Sequence, residues 1–370
     1  MIRVAIVNPY ARPSGYSGPN VLMDRLFGSM VSNCSMTIVC GSPSAGVKRD
    51  WAANVEVPAR LENTNLWSQV RWAFGATWWT LRNSSKYDAV HVHGAYLFNL
   101  LAALPCAILR RPFVILPLAG GGDLAVDSRS SRMFLVRILR RFIVSRSAGG
   151  FSLAASVGEE LSYWGMKPSR IHSIGNIADS AFFNSSPSWG NQRLVFVGSL
   201  SARKRPGLVL DALAELRNRG HDAVGLFVGP FADEETKRSF DQAVGAFGLN
   251  PWVTNLGYQE DVVSSMAGST VFVLPSSQEG LPGALVEAMA MGLPSVVTDV
   301  GAMGEVVREA KGGAIVAPNV GALADSIGEI LSSEDRWTAM SRSAKLYAAA
   351  HFSSTSVSKA YLKTLKEILS

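Results

Sequence analysis

Residues 270–292 restrict what this chain can fold into more than any other stretch. Thr270-Val271-Phe272-Val273-Leu274-Pro275 is apolar and β-branched, and its length fits a strand buried on both faces of a parallel sheet. Ser276, Ser277, Gly280 and Pro282 then punctuate a loop, and Ala284 to Met291 are strong helix formers. The spacing predicts a strand–loop–helix unit with Pro282 in the first helical turn, where its missing N–H does no harm. The helix start, Gly280-Leu281-Pro282-Gly283 with the amides that follow, offers unpaired N–H groups and a positive dipole end to an anion. Two carboxylates flank that place, Glu279 in the loop and Glu287 within the helix. Carboxylates repel phosphate, so these acids suit hydroxyls better: a diphosphate at the helix start, with a sugar and a ribose gripped on either side. The pattern points to a nucleotide-sugar site.

A chain of 370 residues exceeds one ordinary core and suits two domains. Hydrophobic content of 48% with 34 glycines fits a packed α/β protein and argues against a disordered or fibrous chain. Cys34, Cys40 and Cys106 stand in apolar surroundings without paired spacing, which suggests neither disulfides nor zinc. The opening MIRVAIVNPY reads as a first buried strand, its apolar run too short for a signal peptide. No stretch reaches bilayer-spanning length, Leu97 to Leu109 being broken by Pro105, so a cytoplasmic protein is expected. Charge is uneven: 19 Lys and Arg against 10 Asp and Glu in residues 1–190, then 16 against 19 in the rest. A basic front half suits an acidic partner such as an anionic membrane face or a phosphorylated acceptor. Nucleic acid is disfavoured, because the arginines follow an apolar helix without the aromatic stacking face of single-strand binders.

The first domain is expected over residues 1–184. Ile2–Val7 reads as a strand, followed by a loop with Gly15 and Gly18 and an amphipathic pattern at Val21, Leu22, Leu26 and Met30. Leu66 to Leu81 reads as a helix bearing Trp67, Trp72, Trp78 and Trp79; core packing is expected to absorb these, with an interfacial belt as the other reading. In the strand Asp88 to Gly94, alternation puts His91 and His93 on one face, with His93 at the carboxyl end where ligands of open sheets collect. The strand Phe113 to Leu118 leads to Gly120-Gly121-Gly122-Asp123, glycines that let a substrate approach the backbone. Ser131 to Ser147 reads as a helix with Arg137, Arg140 and Arg141 in one wedge, opposite Leu135, Ile138, Leu139, Phe142 and Ile143. Its apolar arc is expected to pack inward while the arginines face anionic headgroups. Residues 185–193 read as a polar linker and 194–352 as a second α/β domain, with strand ends at Gly229-Pro230 and Gly257-Tyr258. A closing helix occupies 353–370.

In this order the segments resemble a known family. Glu279 and Glu287, eight positions apart in EGLPGALVEAMAMGLP, resemble the E-x7-E signature of retaining family-4 glycosyltransferases with the GT-B fold. The resemblance implies two Rossmann-like α/β domains with parallel sheets facing an interdomain cleft, the first for the acceptor and the second for the donor. It also implies that the closing helix crosses back to the first domain. The implied reaction moves a hexosyl-type sugar from a UDP- or GDP-linked donor with no metal and no other cofactor. The acceptor is expected to be a lipid-linked saccharide on the inner face of the cytoplasmic membrane, in surface polysaccharide or lipopolysaccharide synthesis.

Gly198-Ser199-Leu200-Ser201-Ala202-Arg203-Lys204 is similar to the family's Gly-Arg-Leu…Lys motif. Lys204 stands where the family's lysine neutralises the donor diphosphate, and Arg203 is expected to replace the arginine missing at Ser199. By the same resemblance Gly18 faces the diphosphate, Gly257 and Tyr258 lie near the base, Glu279 grips the sugar and Glu287 the ribose. Glu279, Lys204 and His93 form the expected catalytic set. The family's histidine after the fifth strand is absent, Leu118 or Gly120 standing there, and Gly121 and Asp123 are expected to fill that space on the acceptor side. Two rivals stay open: a sugar-nucleotide epimerase of similar architecture, and a catalytically weak nucleotide-sugar-binding partner, which Ser199 and Leu118 keep in play.

Overall fold

The computed structural model describes residues 1–11, 18–42, 50–61, 65–118, 124 and 133–370. Its chain divides into two compact units, Met1–Gly175 with Ser354–Ser370, and Asn176–Ser353.

The first unit is built on β1 Ile2–Val7, β2 Cys34–Val39, β3 Asn54–Glu56, β4 Ala89–His93, β5 Phe113–Leu116, β6 Gly149–Ser152 and β7 Ile171–Ser173. All pairings are parallel, in the order β3-β2-β1-β4-β5-β6-β7. These strands read as apolar runs because helices cover both faces of a parallel sheet. Winding starts at β1 and reverses between β1 and β4. The helix Leu66–Asn83 is capped by Asn65, whose side chain accepts from Ser68 N at 2.9 Å. It buries Trp72, Ala73, Ala76 and Thr80 and packs on the short helical segments between Leu97 and Leu109. The core therefore absorbs Trp72 fully and Trp79 partly, against Tyr87, while Trp67 and Trp78 stand exposed. That is a correction to the expectation that packing takes all four.

The helix Phe134–Arg146 departs further from its helical wheel. Arg140 is buried, with its guanidinium 4.8 Å over the Trp164 ring, so it is not a membrane-facing residue. Stacking on Trp164 offsets part of the desolvation that pulls the Arg140 pKa below its ordinary value, and the nearby Glu160 carboxylate opposes that shift. Arg137 and Arg141 do lie on the surface and donate to the hydroxyl and carbonyl of Tyr163, both at 3.3 Å. Leu135 and Ile138, expected inside, are exposed, whereas Ile143 and Val144 are buried. The closing helix Ser354–Leu369 belongs to this first unit. Its Tyr361 is fully buried, stacks on Phe151 with centroids 4.4 Å apart, and places its hydroxyl 2.7 Å from His91 Nδ1.

The second unit is built on β8 Arg193–Val197, β9 Val224–Val228, β10 Val253–Asn255, β11 Val271–Leu274, β12 Ser295–Thr298 and β13 Gly313–Val316. They are parallel in the order β10-β9-β8-β11-β12-β13, so winding reverses between β8 and β11. The segment expected as a linker lies packed on this unit. Ser188 N donates to Ser269 O at 3.0 Å, Thr270 Oγ1 donates to Ser188 O at 3.0 Å, and the Trp189 ring lies 5.8 Å from that of Trp337. The division between units falls earlier, at Gly175 and Asn176. A polar, Pro-containing segment can still be anchored through its backbone, which composition does not reveal.

Candidate active site

Loops that follow neighbouring parallel strands meet at the carboxyl ends of those strands, and a crevice opens where the winding reverses. In the second unit the loops after β8 and β11 flank that reversal, and they carry Arg203, Lys204 and Glu279. One carboxylate oxygen, Glu279 Oε1, lies 3.0 Å from Lys204 Nζ and 2.7 Å from Arg203 Nη1. Ser276 Oγ donates to the same oxygen at 3.2 Å. The Lys204 and Glu279 side chains are only 11% and 10% exposed, while Arg203 is 45% exposed. The two loops are also joined by backbone: Ser277 N and Oγ both donate to Arg203 O, at 2.8 and 3.1 Å.

Local sequence explains how these groups are held. At Gly198 φ is 135°, a conformation that strains any residue with a Cβ, and a Cβ there would stand 3.1 Å from Lys204 Cε and Nζ, so the lysine would have to shift. Arg205 takes a left-handed φ of 53° and Pro206 then opens the helix Pro206–Asn218, which turns Lys204 back toward β11. Gly301 has φ 57°, and a Cβ there would meet Glu279 O at 2.2 Å. Ala302 N donates to Gly280 O at 2.9 Å, so the loop after β12 braces the Glu279 turn from behind.

Pro282 caps the helix Gly283–Met291 with φ −64° and ψ 132°, one position earlier than the first-turn placement expected. Leu281 is buried, and its carbonyl accepts from Asn176 Nδ2 at 3.1 Å. Glu287 is half-buried and is the only ionisable residue of that helix. Gly257 accepts at its carbonyl from Gly229 N at 2.7 Å, and Gly198 N donates to Val228 O at 2.8 Å. The turn before Tyr258, itself exposed, is thereby tied next to the Gly198 loop. Beside the cluster a pocket of 410 Å³ is lined by Arg205, Ser276, Ser277, Thr298 and Asp299.

In the first unit His93 ends β4 and is buried, its ring 5.7 Å from that of His91 and its carbonyl accepting from Asn99 Nδ2 at 3.0 Å. Gly18 opens the helix Gly18–Gly28. Leu118 Cδ1 lies 3.2 Å from where a Cβ on Gly94 would stand, so a leucine borders the His93-Gly94 turn. His91 is structural: burial first, then the neighbouring His93, holds its pKa well below the ordinary value, leaving a neutral ring bonded to Tyr361. Gly121 and Asp123 lie outside the described residues.

Gly198, Arg203, Lys204 and Glu279 thus form one cluster, with the 280–283 helix entrance continuing the same turn. Two cations share one carboxylate, so an anion that reaches the cluster meets excess positive charge in a partly desolvated place. Ser276, Thr298, Asn176 and Gly301 support the cluster, and motif reading gives none of them a role in it. Thr298 Oγ1 donates to Ser276 O at 2.6 Å. Among the described residues, no three His, Cys, Asp or Glu side chains are grouped to hold a metal ion, and no helix is long and apolar enough to cross a membrane.

Residues 17–176 match the family model for a glycosyl transferase 4-like domain, and residues 191–333 match that for glycosyl transferases group 1. Alpha-D-kanosaminyltransferase of Streptomyces kanamyceticus is 24% identical over 311 residues, 76% of this chain and 79% of that one. The Anabaena protein HepE, crystallised with UDP and glucose, superposes with a TM-score of 0.77 at 16% identity, over 99% of this chain and 100% of its own. The lipopolysaccharide outer core galactosyltransferase WaaB in its apo form gives 0.70 at 14% identity, over 99% of each chain.

Proposed function

This chain belongs to the group 1 glycosyltransferases and has their GT-B fold, and from that premise we propose that it transfers a hexosyl-type sugar, with retention of configuration, from a UDP- or GDP-linked donor to a lipid-linked saccharide. The observation that carries this reading is the Glu279–Lys204–Arg203 cluster at the winding reversal of the second unit. On donor binding the diphosphate oxygens take over Lys204 and Arg203, and the amides at the start of the helix Gly283–Met291 add donors. As the glycosidic bond breaks, negative charge grows on the departing nucleoside diphosphate. Cations already in place stabilise it without reorganisation. Glu279, relieved of its ion pairs, accepts hydrogen bonds from sugar hydroxyls, and Glu287 takes a ribose hydroxyl. In this reading the side-chain cations do the work a divalent ion would otherwise do, so chelator should leave turnover unchanged.

The lipid-linked acceptor is supported by the basic front half of the chain and by the exposed tryptophans of the first unit. WaaB, a structural neighbour, is named for work on lipopolysaccharide outer core. We place the reaction at the inner face of the cytoplasmic membrane, in surface polysaccharide or lipopolysaccharide synthesis. The test is incubation of the protein with labelled UDP- and GDP-sugars and lipid-linked saccharides, with the anomer of the product read by NMR. Transfer with retained configuration is expected. Epimerised donor without acceptor would mean an epimerase, and binding without turnover would mean a partner protein.

A further inference from the structure

The helix Leu66–Asn83 is apolar on both sides, and only one side is packed. Its inner face buries Trp72, Ala73, Ala76 and Thr80. Its outer face shows Trp67 at 81% exposure, Phe74 at 76%, Trp78 at 55% and Leu81 at 46%. These positions follow the i, i+7, i+11, i+14 spacing of a single stripe. Arg71 and Arg82 lie in the same stripe, and the Arg82 guanidinium sits 4.3 Å over the Trp78 ring. The helix packs beside Leu104–Leu109, whose end exposes Ile108 and Leu109 and is followed by exposed Arg110 and Arg111. An apolar stripe of that size on a folded unit marks a surface that is covered in use.

We infer that this face docks the first unit on an anionic lipid bilayer, with the helix lying in the interfacial plane. Charge decides between occupants. From residue 63 to residue 122 the only acid is Asp88, against Arg71, Arg82, Lys86, Arg110 and Arg111. Asp88 is already bound to Arg3 at 2.8 Å, and the stretch carries a formal excess of positive charge. A symmetric pairing with a second copy would set these cations against their own duplicates. An anionic bilayer meets both features at once: tryptophan and phenylalanine settle at headgroup level, and the flanking arginines reach phosphate while their stems stay in apolar surroundings. The inference extends the reading of a lipid-linked acceptor, yet it stands on the helix face and not on the transfer chemistry.

The experiment is co-sedimentation of the full chain with vesicles of phosphatidylcholine alone, or with about one-third phosphatidylglycerol. The wild type should bind the anionic vesicles at least about tenfold better than the neutral ones and release as salt is raised. Trp67→Ser with Trp78→Ser, and separately Arg82→Glu with Lys86→Glu, should each weaken binding about tenfold while melting temperature and the melting shift given by UDP stay at wild-type values. Equal binding by wild type and variants, or no binding by the wild type, overturns the inference. So does a change in solution mass on replacing the tryptophans, which would assign the face to a second copy. Because no outcome depends on sugar transfer, failure of the enzymatic reading would leave this result standing.

Discussion

Glu279 Oε1 lies within 3.0 Å of two cations, so removing any one of the three groups leaves the others unbalanced by different amounts. Lys204→Ala leaves Glu279 paired to the more exposed Arg203, which should limit the stability loss to about 1–2 kcal/mol in chemical denaturation. Glu279→Gln leaves two adjacent cations without a carboxylate. A double-mutant cycle over these two positions should give a coupling of about 1–3 kcal/mol, and a coupling near zero would mean the pair is not formed. His91 makes a second residue-level prediction. Its folded pKa is held well below that of the unfolded chain, so the unfolded chain takes up the proton first. The stability it contributes is complete above about pH 6.5 and is lost as pH falls below that value, by up to about 1.4 kcal/mol per pH unit. Melting curves between about pH 7.5 and 5.5 should show that slope in the wild type and a flatter one in His91→Gln.

Among the elements, the loop after β12 is the sharpest test of how the site is held. Gly301→Ala adds a Cβ that would meet Glu279 O at 2.2 Å, at a left-handed φ of 57°. It should reduce stability by about 1–3 kcal/mol and cut transfer more than Ser277→Ala does, measured by melting and by initial rates. Elements such as β11 and the helix Gly283–Met291 were legible, because strands buried on both faces read as unbroken apolar runs and helix formers follow the loop directly. The helix Leu66–Asn83 was legible in extent, although its wheel could not say that one aromatic face would stay unpacked. Arg140 was misplaced because helical periodicity carries no information about Trp164, which lies in a later segment and offers the ring it stacks on. The E-x7-E spacing located Glu279 but not its partners. Lys204 reaches it across the boundary between β8 and β11, a relation fixed by sheet order and invisible in local spacing.

At the scale of the whole molecule, each unit is a doubly wound sheet whose winding reverses once, and candidate groups sit at both reversals: His93 and Gly18 in the first, Lys204 and Glu279 in the second. Charge is divided in the same way, with the excess of Lys and Arg confined to residues 1–190. A donor that binds only the folded chain should stabilise it by about 2.7 kcal/mol at a hundredfold excess over Kd, so a melting panel of UDP- and GDP-sugars should single out the base. The most direct measurement of the central claim is calorimetric titration of the chosen nucleoside diphosphate into the wild type, Lys204→Ala and Glu279→Gln. The cluster predicts that Lys204→Ala weakens binding about 10- to 100-fold, and that Glu279→Gln binds as tightly as the wild type or tighter while losing transfer, because the phosphate no longer competes with a carboxylate. Unchanged affinity in Lys204→Ala, or lost affinity in Glu279→Gln, would contradict it.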